Sequence, residues 1–257
     1  MTDLLVDRQS GVTRLTLNRP NQYNALSSDL LLGLSSALDE ISEDDATRAV
    51  VLAASGKAFC AGHDLKQMRA LETRDNQHEL FTLCSSVMQK INDLPQPVVA
   101  SVQGMATAAG CQLVATCDLA VAANTAQFAV SGVRVGLFCS TPAVALSRNI
   151  SRKRAMEMLL TGDFIDAPTA LEYGLVNRIC EPSELDSCVD QLVQRIIDKP
   201  KRVIMLGKNL FYRQLNQPLD SAYRAATDVI SDNMMMPETL EGIDAFLQKR
   251  KPDWEKF

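Results

Sequence analysis

The first third of the chain alternates between strand-like and helix-like hydrophobic patterns. LLVDR (residues 4–8) and VTRLTLN (12–18) are β-branched or alternating segments separated by Ser10-Gly11, which predicts a hairpin. AVVLAAS (49–55), VVASVQG (98–104) and CDLAVAA (117–123) are short apolar segments typical of strands buried on both faces. The pattern therefore predicts a largely parallel sheet with helices between its strands.

Two amphipathic helices are predicted between these strands. The first spans residues 27–42, has Ser28 as its expected N-cap and places on one face Leu30, Leu34, Leu38 and Ile41. The second spans residues 79–94, ends before Pro95 and Pro97, and has an apolar face of Leu80, Leu83, Val87, Ile91 and Leu94.

After about residue 150 the pattern becomes helical. Helices are predicted over 151–162, ending at Gly162, and over 166–174, with Asp166 as N-cap and Gly174 at the end. A short strand, LVNRI (175–179), follows, and three further helical patterns occupy 202–215, 219–234 and 237–251. The coarse prediction is an α/β core with a helical C-terminal region.

Composition narrows the classes of function. With 257 residues, 46% of them hydrophobic, the chain can bury a large core. A net charge of −5 offers no field for nucleic acid or an anionic membrane, and no apolar segment approaches the roughly 20 residues of a membrane span. The first ten residues, MTDLLVDRQS, resemble neither a secretory signal nor a transit peptide, so we expect a cytoplasmic protein.

Cysteine and histidine usage argues against disulfides and metals. The seven cysteines are odd in number, form no CxxC pair and lie mostly among apolar residues, so we expect buried thiols. With only two histidines, His63 and His78, we expect no His-rich metal site.

Two glycine-bearing segments are candidates for chemistry. GKAFCAGHDLKQM (56–68) predicts a strand, a turn and a helix start, where backbone N–H groups can point at an anion or a carbonyl oxygen. ATAAGCQLVATCDLAVA (106–122) begins with small residues, and Gly110 and its neighbours can open a helix whose N-terminus carries partial positive charge. The alternatives are an ordinary strand-to-helix turn for the first segment and tight helix packing for the second.

Four segments in order resemble the enoyl-CoA hydratase/isomerase (crotonase) superfamily: NRPNQYNAL (18–26), GKAFCAGHDLKQM (56–68), GMATAAGCQLVATCDLAVA (104–122) and FLQKRK (246–251). One branch of it is resembled in detail by ATAAGCQLVA, VGLFCSTP and FLQKRKP. The resemblance implies an α/β crotonase (ClpP-like) fold, a superhelix of repeated ββα units over 1–200. It also implies a helical oligomerisation region over 201–257, which builds a homotrimer or a dimer of trimers.

The resemblance also implies an acyl-CoA thioester as substrate or ligand, in fatty-acid or acyl-CoA metabolism, and no other cofactor. Two backbone N–H groups, which map to His63 and Ala109, would form an oxyanion hole for the thioester carbonyl. Such preorganised donors contribute roughly 3–4 kcal/mol each to transition-state stabilisation. The imidazole of His63 is the alternative role for that residue, as a base.

Contacts to CoA are also implied. The residues concerned are Asn24, Ala25, Leu26, Ala61, Asp64, Leu65 and Lys66, with Phe246 and Lys249 reaching CoA from a neighbouring subunit. The basic cluster Lys249–Lys251 suits phosphates, and a solvated helix end is the alternative. Structural hydrogen bonds are the alternative role for Asp64 and the expected role of Asp118.

The acid positions of the family depart from its pattern. The two glutamates of family hydratases map to Gln112 and Gly132, and a third position, an aspartate in related enzymes, maps to Ser140. Because each acid–base group contributes roughly 10²–10⁴-fold, we expect weak hydration or none. Three alternatives remain open: hydrolysis by Cys139 or Ser140 with His63 as base, decarboxylation, and acyl-CoA binding without catalysis.

Overall fold

The computed structural model describes residues 2–257. Its ten strands are β1 (Leu4–Gln9), β2 (Val12–Leu17), β3 (Ala49–Ala54), β4 (Ala58–Cys60), β5 (Val98–Val102), β6 (Met105–Thr107), β7 (Leu119–Ala123), β8 (Gln127–Ala129), β9 (Ile165–Asp166) and β10 (Arg178–Cys180). The helices are α1 (Ser28–Ser42), α2 (Leu65–Ala70), α3 (Arg74–Asp93), α4 (Ala109–Thr116), α5 (Ser140–Asn149), α6 (Arg152–Thr161), α7 (Ala167–Tyr173), α8 (Leu185–Ile197), α9 (Lys201–Gln214), α10 (Leu219–Met234) and α11 (Pro237–Leu247).

The strands form two sheets. The larger has the order β1-β2-β3-β5-β7-β10, in which the β1–β2 hairpin is antiparallel and the other pairs are parallel. The smaller has the order β4-β6-β8-β9. Each of the pairs β3–β4, β5–β6 and β7–β8 sends its first strand to the larger sheet and its second to the smaller, and a helix follows. This repeated ββα arrangement confirms the predicted fold class.

Strand β3 shows why the central strands of the larger sheet are apolar at successive positions. Its side chains alternate between two cores: Val50 and Leu52 pack with α1, α3 and α4, whereas Ala49, Val51 and Ala53 pack with α8. A strand covered on both faces needs apolar residues at every position. The core therefore has two layers, one on each face of this sheet.

Helix α1 buries the predicted face, but its start differs from the prediction. Leu30, Leu34, Leu38 and Ile41 are buried. The N-cap is Ser27, whose hydroxyl accepts a hydrogen bond from the Leu30 N–H at 3.2 Å, so the prediction of Ser28 was wrong. Ser28 instead pairs through its N–H and hydroxyl with the Gln67 amide of α2, at 2.9 and 3.0 Å.

The C-terminal helices are attached to the core by a buried ion pair. Lys208 of α9 donates to Asp118 at 2.7 Å and to the carbonyls of Ile91 and Gln96 at 3.0 Å each. Asp118 also accepts from the Val98 N–H at 2.6 Å and from the Tyr212 hydroxyl at 2.8 Å. The predicted structural role of Asp118 is confirmed, whereas the boundary at residue 200 stays a prediction.

Candidate active site

Two chain turns meet where β4 and β6 end. These strands are parallel neighbours, so their carboxyl ends lie at the same edge of the smaller sheet. Gly62 has φ +91°, and a Cβ there would lie 2.9 Å from the Ala108 Cβ. A Cβ on Gly110 would lie 2.1 Å from the Cys60 carbonyl oxygen. Glycine at both positions therefore lets the two turns approach backbone to backbone.

The backbone N–H groups of His63 and Ala109 are located in these turns. His63 forms a parallel bridge with Leu26, in which the flanking Gly62 carbonyl accepts from Leu26 at 2.7 Å and the Asp64 N–H donates to Leu26 at 3.1 Å. Ala109 is the first residue of α4, where a helix provides no acceptor for its N–H. Within residues 2–257, neither N–H donates to a protein acceptor.

Ala108 sets the direction of the second turn. Its backbone has φ 50° and ψ −120°, a left-handed conformation that is uncommon for a residue with a Cβ. Such a conformation costs on the order of 1–3 kcal/mol and persists when the surroundings hold it. Here the Ala108 N–H donates to the Ala129 carbonyl at 3.0 Å, which fixes the turn just before α4 begins.

Both residues that carry these N–H groups line one cavity. Its volume is about 430 Å³, and its walls are mainly apolar. Besides His63 and Ala109, the wall includes Ala61, Leu65, Met68, Phe81, Ala108, Ser131, Gly132, Arg134, Val135, Leu137, Phe138, Cys139, Ser140, Thr141, Pro142 and Phe164. No Asp or Glu side chain of the described residues is among them.

The imidazole of His63 is poorly suited to act as a base. Burial lowers the pKa of His63 to about 4. Its ring packs edge-on against Phe81 with centroids 5.2 Å apart, and neither ring nitrogen has a hydrogen-bond partner in the described chain. His63 is therefore neutral near pH 7, and it forms no hydrogen bond with Cys139 or Ser140.

The expected acid positions differ in their surroundings. Gln112 is buried in α4, outside the cavity wall, and its Oε1 has no partner within the described residues. Gly132 lines the cavity, but a Cβ there would lie 2.3 Å from the Leu137 carbonyl oxygen and 2.8 Å from the Cys139 Sγ. Leu137 and Cys139 therefore occupy the space that a side chain at position 132 would need.

Cys139 and Ser140 also line this part of the cavity. The buried Cys139 Sγ accepts a hydrogen bond from the Gly132 N–H at 3.3 Å, and burial raises the pKa of the thiol. Ser140 is the first residue of α5, with its hydroxyl 3.4 Å from the Phe138 carbonyl. A neutral thiol without a base is a weak nucleophile.

The residues expected to contact CoA divide into two groups. Ala61 and Leu65 line the cavity, and Lys66, the next residue of α2, is exposed. Asp64 caps α2 and pairs with Arg19 at 3.1 Å, so its carboxylate has a structural role, and its contact with CoA stays a prediction.

Three of the residues expected to contact CoA are buried and do not line the cavity: Asn24, Ala25 and Leu26. The Asn24 side chain accepts from the Arg19 N–H and donates to the carbonyls of Ser55 and Ala58, each at 2.8 Å. Phe246 and Lys249 belong to the α11 end of the same chain and do not line this cavity. Their contact with CoA from a neighbouring subunit stays a prediction.

Sequence patterns missed the aromatic part of the wall. Phe81 lies one position from the buried stripe of α3, and Phe138 and Phe164 lie in connecting segments. Tertiary packing brings them together, and no local spacing indicates it. In the described chain, no cluster of three or more His, Cys, Asp or Glu side chains is placed to hold a metal ion. None of the described helices is long and apolar enough to cross a bilayer.

Comparison with known proteins identifies the family. The model of the family described as enoyl-CoA hydratase/isomerase matches residues 7–256. The chain belongs to this family. A crystal structure of an enoyl-CoA hydratase from Mycobacterium smegmatis has 56% identity to this family member and a TM-score of 0.97, covering 98% of this chain and 99% of that one.

The branch indicated by the sequence segments is also found among the relatives. Human enoyl-CoA hydratase domain-containing protein 3 superposes with a TM-score of 0.95 at 42% identity, over 98% of this chain and all of that one. The rat protein of that name, described as mitochondrial, is 44% identical over 247 residues, which are 96% of this chain and 82% of the relative. The predicted resemblance to the enoyl-CoA hydratase/isomerase superfamily, and to this branch, is confirmed.

Proposed function

We propose that this protein binds an acyl-CoA thioester and polarises its carbonyl oxygen with the N–H groups of His63 and Ala109. Two observations support the proposal: neither group has an acceptor within residues 2–257, and both residues line one apolar cavity. The geometry that carries the proposal is the backbone contact between the two turns at Gly62 and Gly110. Donors held in place before the ligand arrives stabilise developing negative charge without reorganisation.

The second part of the proposal is that hydration turnover is very low or absent. An amide at Gln112 exchanges no proton near neutral pH, and the space beside Gly132 admits no side chain without moving Leu137 and Cys139. The family name and the enoyl-CoA hydratases among its relatives make hydration the nominal reaction. Steady-state hydration of crotonyl-CoA on the order of 10 s⁻¹, a typical enzyme rate, would refute this part.

Replacing Ala109 tests the first part of the proposal. Ala109→Pro removes the N–H at a first helical position, where proline is tolerated, whereas Ala109→Gly keeps the N–H and is the matched control. Calorimetry should show that the proline variant loses up to tenfold in affinity for a non-hydrolysable acyl-CoA analogue, about the net value of one hydrogen bond. Affinity for CoA without an acyl group should be unchanged in both. Equal loss in the glycine control, or no binding by the unmodified protein, would contradict the proposal.

Decarboxylation of a malonyl-type thioester is a second candidate, because no described carboxylate lines the cavity. In this reaction the electrons of the C–CO₂⁻ bond move into the thioester carbonyl, CO₂ leaves, and the enolate then takes a proton from water. The departure step needs no protein base, and the two N–H groups would hold the enolate oxygen. Release of CO₂ from malonyl-CoA tests it. Binding of thioesters with no turnover on malonyl-, enoyl- or saturated acyl-CoA would instead establish a non-catalytic acyl-CoA binder.

We further propose that the protein is a trimer or a dimer of trimers and acts in the cytoplasm. Exposed apolar side chains on the C-terminal helices, including Phe211, Leu219, Tyr223 and Phe246, support association. All seven cysteines are free, which suits a reducing compartment. Analytical ultracentrifugation and cell fractionation test these two statements, and a monomer or an organelle-bound pool would contradict them.

A further inference from the structure

A second cavity, of about 400 Å³, lies among the C-terminal helices and shares no lining residue with the first. Its wall is formed by α9, α10, α11 and the turn that contains Trp254. Most of this wall is apolar or aromatic, and its one acidic residue among the described residues is Glu238. We call it the Glu238 cavity.

The Glu238 carboxylate is buried and only partly satisfied. The residue is 3% exposed, and its Oε2 has no hydrogen-bond partner in the described chain. Its Oε1 lies 3.4 Å from an Arg202 guanidinium nitrogen, and the Arg202 side chain is 67% exposed. Charge-assisted hydrogen bonds are normally about 2.7–2.9 Å long, so this contact is a weak one. Buried carboxylate oxygens ordinarily accept hydrogen bonds. The Glu238 Oε2 is therefore an acceptor that lacks its usual donor.

The N-terminus of α11 accounts for the charge of Glu238 but not for this free oxygen. Glu238 follows Pro237 in the first turn of α11, where the helix dipole favours an acidic side chain. No backbone N–H of that turn donates to Oε2. A further cation with an N–H donor would therefore complete the coordination of this carboxylate.

The walls beside Glu238 suit a cation on an apolar stem. Trp254 contributes an aromatic ring, and Val203 and Ile243 contribute aliphatic surface. A Cβ on Gly242 would lie 2.9 Å from the Trp254 indole, so glycine is what allows the ring to pack there. Aromatic faces attract ammonium groups, and an alkyl chain gains by covering apolar wall.

An ammonium group fits better than a guanidinium group. A guanidinium prefers two parallel hydrogen bonds to both carboxylate oxygens, and Arg202 already lies beside Oε1. A single free oxygen matches the compact point charge of an ammonium group. We propose that the Glu238 cavity binds a primary alkylammonium cation, supplied either as a free amine or as the lysine side chain of a second copy of this chain.

The sole tryptophan of the chain, Trp254, reports directly on the occupancy of this cavity. Pentylammonium is the probe, and 1-pentanol is its uncharged control. The proposal predicts a saturable change in tryptophan emission with pentylammonium, no comparable change with pentanol, and at least tenfold weaker amine binding in Glu238→Gln. Arg202→Met removes the weak competitor for the carboxylate and should strengthen amine binding. Glu184→Gln, on the exposed surface, should bind as the unmodified protein does.

Sedimentation distinguishes the two sources of the ammonium group. If a second copy supplies a lysine, Glu238→Gln should weaken self-association, and pentylammonium should compete with it. If a free amine is the ligand, sedimentation should not change, and the emission titration carries the result. The proposal is overturned if amine and alcohol give the same response, Glu238→Gln does not change it, and sedimentation of that variant is unaltered. Thermal unfolding of each variant verifies that the comparison concerns folded protein.

Discussion

Arg19 holds together the segment that contains the His63 N–H group. Its guanidinium pairs with Asp64 at 3.1 Å and with Asp3 at 3.3 Å, and it donates to the Ala25 carbonyl. The side chains of Arg19 and Asp64 are only 15% and 19% exposed. Because His63 precedes Asp64, Arg19→Met should disturb both stability and the position of this donor.

The size of the effect follows from what Arg19→Met leaves behind. Removing one partner of a fully buried ion pair costs about 3–5 kcal/mol. Asp64 is partly exposed and keeps its capping bonds to the Lys66 and Gln67 N–H groups, at 3.1 and 3.2 Å. We therefore expect a loss of about 2–3 kcal/mol, which for a chain of this size lowers Tm by on the order of 5–10 °C.

The difference should depend on pH with a defined sign. Burial alone would raise the pKa of Asp64, but the hydrogen bond from Gln67 and the contact with Arg19 outweigh it and lower the pKa. A carboxyl group with a lowered folded-state pKa stabilises the fold above its unfolded value of about 3.9, and this contribution is lost as pH falls through the folded-state pKa. The stability gap between the two proteins should be full near pH 7 and shrink below about pH 4.

Urea unfolding at several pH values measures the difference in stability between the unmodified protein and Arg19→Met. Calorimetry with the acyl-CoA analogue measures whether the displaced His63 N–H weakens binding. Arg14→Met is the matched control, because Arg14 pairs with Asp186 and Asp190, whose side chains are 81% and 69% exposed. Such surface pairs contribute about 0–1 kcal/mol. The reasoning is refuted if Arg19→Met and Arg14→Met lose the same stability, or if the gap widens on acidification.

Three further outcomes are expected. Gly110→Ala should destabilise the fold and abolish thioester binding, because its Cβ would lie 2.1 Å from the Cys60 carbonyl. Gly207→Ala, with nothing within 4 Å, should be neutral or stabilising by up to about 1 kcal/mol in urea unfolding; equal losses would be contrary evidence. Lys208→Met should cost about 3–5 kcal/mol by leaving Asp118 without its cation, and the exposed Lys153→Met should not; a shared small effect would argue against the buried pair. Native Cys139 should react slowly with iodoacetamide at pH 8 and rapidly in urea, since burial raises the pKa of its thiol; fast native reaction would show a thiolate.

The sequence predicts the helices and strands in which apolar residues recur at regular spacing. In α1, the apolar residues recur every three or four positions and form one buried stripe: Leu30, Leu34, Leu38 and Ile41. Strand β3 is apolar throughout and is covered on both faces. The sequence does not show that the short strands of the smaller sheet, such as Ala58–Cys60, form a second sheet, because two or three residues are too few to show a period. The N-cap is Ser27, and the neighbouring Ser28 binds Gln67, a contact 39 residues away in sequence that a local pattern does not show.

The candidate site was predictable in its backbone and not in its walls. Glycines and small residues marked the two turns, and the structure joins them through Gly62 and Gly110. The closed space at Gly132 depends on Leu137 and Cys139 folding back, which no spacing shows. The ion pairs Arg19–Asp64 and Lys208–Asp118 join positions that are distant in sequence, so the sequence could suggest structural hydrogen bonds for Asp64 and Asp118 but not the cations that pair with them.

The carbonyl stretching frequency of a bound acyl-CoA thioester, labelled with ¹³C at the carbonyl, tests the central claim most directly. The account predicts that infrared difference spectra show a shift to lower frequency on binding, because two N–H donors polarise the bond. His63→Ala should keep the shift, since it retains the N–H, and Ala109→Pro should reduce it. A bound frequency equal to that in water, or a shift that is lost in His63→Ala and kept in Ala109→Pro, would contradict the account.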